Sequence, residues 1–91
     1  MRFHREQWRP VLEAESKRWS AMSYDQLVAA LAAEQAYQIE FESRKYQVEV
    51  ELLEHTEKYI HVMVAVDDGS LPASLIPLTF SFIRYRDSGK A

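Results

Sequence analysis

Three histidines and a surplus of carboxylates are the residues of this chain that could do chemistry. His55 stands in Glu54-His55-Thr56-Glu57, where an imidazole and two carboxylates lie close along the chain. The spacing is not that of His-Glu-x-x-His, which sets two imidazoles one helical turn apart, so no metal is expected. His4 is near the start, and His61 falls in a run that alternates like a strand. Two pairs, Glu40 with Glu49 and Asp67 with Asp68, could on paper share acid–base work. The second is followed by Gly69, and Asp-Asp-Gly is first of all turn chemistry.

Other chemistries are excluded by what is missing. The chain has no cysteine, which removes disulfides, thiolate metal sites and thiol nucleophiles. It has two glycines, too few for a loop whose backbone closes on phosphate, and no Gly-x-Ser-x-Gly elbow. No catalytic residue and no cofactor are therefore expected. A net charge of −3 argues against a general nucleic-acid binder. Phe82-Ile83-Arg84-Tyr85-Arg86 does interleave rings and cations as single-strand platforms do. Phe82 and Arg84 would share a strand face, however, which assigns the ring to a core.

The elements that position these residues follow from periodicity. Trp8, Val11, Leu12, Trp19 and Met22 form one stripe of a helix over about 8–22, with Pro10 in its first turn. Glu15 interrupts the stripe and must snorkel, pair with Arg18 or be exposed. Ser23-Tyr24-Asp25-Gln26 reads as a capping box opening a second helix, about 24–34, with Tyr24, Leu27, Val28 and Leu31 inward. From Tyr37 the period becomes 2. Strands are expected at about 37–43, 46–53, 59–66 and 78–86, with Pro72 and Pro77 in the connection before the last. Residues 87–91 read as a flexible tail.

Helix, helix and four strands in a mainly antiparallel meander make an α+β fold with both helices on one sheet face. At 91 residues a single domain, 1–91, is expected. The longest apolar run, residues 27–33, is far too short to span a bilayer, and the first residues lack the apolar core of a secretory signal. No membrane contact and a cytoplasmic location are the default expectations.

A turn at Arg44-Lys45 would set Glu40 directly opposite Glu49, a repulsive pair on the outward face. Farther along, that face would carry Tyr59, His61, Met63, Ser81, Ile83 and Tyr85. So apolar a patch is expected to be covered by a second copy or another protein. The leading reading is a non-enzymatic protein-interaction module, a homodimer or a complex subunit. Its rival is a small-ligand-binding or minor enzymatic domain with a pocket between helices and sheet, lined by Trp8, Glu15, Trp19, Tyr24, Tyr37, Tyr46 and Phe80. Glu15 separates the two, because a buried carboxylate lacking a basic or hydroxyl partner would mark a site.

Overall fold

The computed structural model describes residues 5–70 and 77–86. The expected tail, His4 and the connection at 71–76 lie outside the described residues. A 3-10 turn, Arg5–Trp8, leads into helix α1, Arg9–Ser20. Helix α2 spans Tyr24–Ala30. Four strands follow, β1 (Gln35–Phe41), β2 (Arg44–His55), β3 (Tyr59–Asp67) and β4 (Leu78–Tyr85), paired antiparallel in the order β1-β2-β3-β4. The α+β meander is therefore present, and no helix among the described residues is long and apolar enough to cross a membrane.

Both helices are shorter than their apolar periodicity suggests. The first stops at Ser20 because the Ala21 N–H bonds to Lys17 O and the Met22 N–H to Trp19 O, tightening the last turn. Ser23 then takes the extended backbone of an N-cap. Its hydroxyl accepts the Gln26 N–H at 3.1 Å, and the Gln26 side chain accepts the Ser23 N–H at 2.9 Å. The second helix ends at Ala30, not at residue 34. The Gln35 side chain donates to Ala30 O at 3.1 Å, and from Gln35 onward the backbone pairs with β2. Strand pairing thus takes in Gln35 and Ala36, which lie between the expected helix and the expected first strand.

The first hairpin turns at Glu42-Ser43 instead of Arg44-Lys45. Both residues have left-handed backbones, φ 52° and 68°. This matches the twist of a two-residue hairpin, although neither residue is a glycine or asparagine. Phe41 consequently faces Arg44 and Glu40 faces Lys45, while Glu49 faces Ala36. The expected Glu40–Glu49 opposition does not exist, and Glu40 meets a cation. The slip is an even number of residues, so no side chain changes face.

One sheet face carries the core. Val48, Val50, Ile60, Val62, Val64 and Val66 are fully buried beneath Trp8, Val11, Leu12, Trp19, Leu27 and Leu31. Helix α1 packs across β3 and β4, touching β4 most, while α2 lies against β3. Tyr24 anchors the β2–β3 turn, its hydroxyl donating to Thr56 O at 2.5 Å and its ring meeting His55 edge-on. Between Leu52 and Glu54 the β2–β3 register shifts, leaving Leu53 as an exposed extra residue.

Candidate functional site

The sheet face that no described helix covers is built by pairing register. Glu54 lies opposite His61, and His61 opposite Ile83. Glu51, Met63 and Ser81 form the next row, and Tyr59 lies opposite Tyr85. All six residues expected outward are thus contiguous on one surface. Tyr59, His61 and Met63 are half-buried by their neighbours, whereas Ile83 is 46% and Tyr85 55% exposed. The Tyr59 and Tyr85 rings stack at a tilt, centroids 5.9 Å apart. Glu54 beside the Tyr59 hydroxyl holds it above the usual phenol range.

Toward the other end the same face turns acidic. Glu49 is held above the usual carboxylate range, first by partial burial and then by repulsion from Glu34, Asp67 and Glu51. Among the described residues no group of histidines and carboxylates is placed to hold a metal ion. Asp67 and Asp68 are occupied as turn formers: Asp67 Oδ1 accepts the Gly69 N–H at 2.6 Å, and Asp68 Oδ1 accepts from the Ser70 N–H and hydroxyl. Burial alone would raise Asp68, but the Ser70 bonds outweigh it and hold the carboxylate down.

Under the helices, the aromatic residues proposed as pocket lining divide into core and network. Trp8, Trp19, Tyr24 and Tyr46 are buried in the core. Glu15, with 13% of its side chain exposed, accepts from the Tyr37 hydroxyl at 2.5 Å and from Arg18 at 3.1 Å. The Tyr37 oxygen in turn accepts from Trp19 Nε1 and from Arg18, each at 2.8 Å. Burial and the bond to Glu15 hold the Tyr37 phenol above its ordinary range. Every polar end in this group has a partner, so Glu15 pins β1 to α1 and is not an unpartnered carboxylate.

Of the seven residues, Phe80 alone lines a cleft of about 440 Å³ between α1 and the start of β4. Its other walls include Leu12, Ser16, Ser20 and Thr79, with exposed Arg9, Glu13 and Lys17 beside them. Ser16 is 5% exposed, and its hydroxyl has no hydrogen-bond partner among the described residues. Tyr46 borders a smaller depression, about 250 Å³, with Phe41 and Arg44. Ser16 was legible as a wall residue, since it lies four after Leu12 and three before Trp19 on the apolar stripe. Lys17 and Thr79 carry no such signal.

The basic end of β4 is likewise committed within the fold. An Arg84 Nη2 donates to Ser20 O at the C-terminus of α1, where a cation favours the helix dipole. Arg86 lies over the Tyr24 ring and donates to Glu57 O. Phe82 is half-buried against the core, with the Arg84 guanidinium 5.9 Å from its centroid. Comparison of the chain with protein-family models, with curated proteins and with solved structures finds no match.

Proposed function

We propose that this chain is a non-enzymatic protein-interaction module, working as a homodimer or a complex subunit, with its uncovered sheet face as the binding surface. The observation that carries this reading is the exposure of Ile83 and Tyr85 beside half-buried Tyr59, His61 and Met63, on a face covered by no described helix. A monomer seldom leaves so contiguous an apolar patch in water. The satisfied Glu15–Tyr37–Trp19 group supports the same side, because it removes the one residue that argued for chemistry beneath the helices.

The test is the solution mass of the wild type against Ile83→Asp. Association that falls by at least tenfold in the variant is the expected result, since the carboxylate would have to be desolvated in any contact made there. Association indifferent to Ile83→Asp refutes the surface. A small-molecule reading is favoured by one observation, the unpartnered Ser16 hydroxyl in the wall of the α1–β4 cleft. A non-protein mass retained by the native chain, and lost in Ser16→Leu, would establish that reading instead.

A further inference from the structure

We propose that the partner at β4 is a second copy of this chain, joined edge to edge so that two four-stranded sheets become one of eight strands. The inference rests on the reading of the chain as an interaction module, and it assigns the second copy to the strand edge, which leaves the sheet face to a further protein. Among the described residues β4 has a strand partner on one side only. On its other side no described strand takes up its backbone donors and acceptors, and such an edge is a template for another strand.

The two edges of the sheet are unlike. β1 carries Glu40 and Gln38, polar and exposed as edges usually are. β4 reads Leu-Thr-Phe-Ser-Phe-Ile-Arg-Tyr, with no lysine, proline or bulge within it. Phe80 on its helix side is 45% exposed and Ile83 and Tyr85 project from the other, so apolar surface continues round the edge. An antiparallel strand related by a two-fold axis always matches donors to acceptors, which makes such an edge complementary to itself.

Helix α1 tells what else the second copy brings. It packs on β3 and β4 together, which sets its axis roughly half a strand spacing inside β4. Strands lie about 4.8 Å apart, so adding the partner's β4 places the partner's α1 about 10 Å from this one, antiparallel to it. That is the distance at which helices pack. The α1–β4 cleft is then the groove between two helices, and Leu12, Ser16 and Phe80 are its floor and walls. Arg9, Glu13 and Lys17 recur every four residues along that side with alternating sign. Two antiparallel copies can therefore set a cation of one helix against Glu13 of the other. A two-fold at Ser81 pairs each Phe80 with the partner's Phe82 on the same sheet face.

The experiment is light scattering after size exclusion, with amide hydrogen exchange, on the full chain. Wild type and Met63→Asp, which alters only the sheet face, are expected at twice the 10.7 kDa of one chain. Phe80→Lys places an inward charge on the edge and is expected at one chain, with the slow exchange of β4 amides lost and the far-ultraviolet circular dichroism unchanged. Phe80→Ala, which adds no charge, should weaken the dimer at least about tenfold, the loss of about 1.4 kcal/mol of contact. A Met63→Asp monomer together with a Phe80→Lys dimer overturns the edge seam while the sheet-face reading stands. A wild type that is a single chain at every concentration also overturns it.

Discussion

Replacing Tyr37 with Phe deletes one oxygen and disturbs three partners. The Trp19 indole N–H, buried beside it, loses its acceptor, which costs about 1–3 kcal/mol for a buried group left unpaired. Glu15 loses a donor at 2.5 Å, and a bond to a charged group is worth about 1.5–3 kcal/mol. Arg18 still reaches Glu15, so the two losses overlap, and the expected total is about 2–4 kcal/mol. Against the roughly 5–15 kcal/mol that holds a domain folded, this is a large fraction. Urea unfolding followed by tryptophan fluorescence would show it as a lower midpoint at unchanged slope.

Arg18→Met is the control. Its side chain is 53% exposed, so water screens its pairing with Glu15, and its loss should cost less than about 1 kcal/mol. The pH dependence gives a second readout. The native phenol is raised above its ordinary value by burial and by Glu15, so it keeps its proton where the unfolded chain gives one up. Wild-type stability must then be fully present below about pH 10 and fall as pH rises through the native value. Tyr37→Phe lacks that component, although the contribution of Tyr59 remains. A variant within about 0.5 kcal/mol of wild type, with the same alkaline limb, would refute the claim that this hydroxyl organises the α1–β1 contact.

Three further changes test the framework. Glu42→Asn with Ser43→Gly relieves two left-handed non-glycine residues and should stabilise by about 1–2 kcal/mol, raising Tm by several degrees; a lower Tm would contradict the turn. Ser23→Ala removes the oxygen of the capping box and should cost about 1 kcal/mol in the same urea assay. Glu49→Gln should stabilise modestly at neutral pH and in low salt. Because the native carboxyl is raised, wild type loses stability relative to the variant as pH rises through that value, and the two should converge in acid.

The face of each strand was readable from the chain because alternation survives an even slip. The turn comes two residues earlier than expected, yet Glu40 and Glu49 still lie on the outward face where the alternation puts them. The turn itself was hidden because Glu-Ser supplies left-handed backbone without the glycine or asparagine that usually announces it. Helix ends were hidden for another reason: Gln35 ends α2 through a side-chain bond to Ala30 O that no periodicity records. The cleft depends on where α1 crosses the sheet, over β3 and β4 and not over its middle. That is a property of how two surfaces fit, and a stripe of apolar residues specifies only that a surface exists. The interrupted apolar stripe singles out Glu15 and the strand alternation places Tyr37 inward, but neither pattern specifies that β1 brings the phenol to α1.

The order of the strands in space is their order along the chain, so each hairpin can close soon after it is made. Helix α1 is the exception, since its heaviest packing is with β4, the most distant strand from it in sequence. During synthesis Trp8, Val11, Leu12 and Trp19 are therefore made before any strand, and their seat over β3 and β4 is complete only when the last strand joins the sheet. Between the making of α1 and the making of β4, part of that apolar stripe has nothing to pack on, and that interval is when the growing chain is open to aggregation.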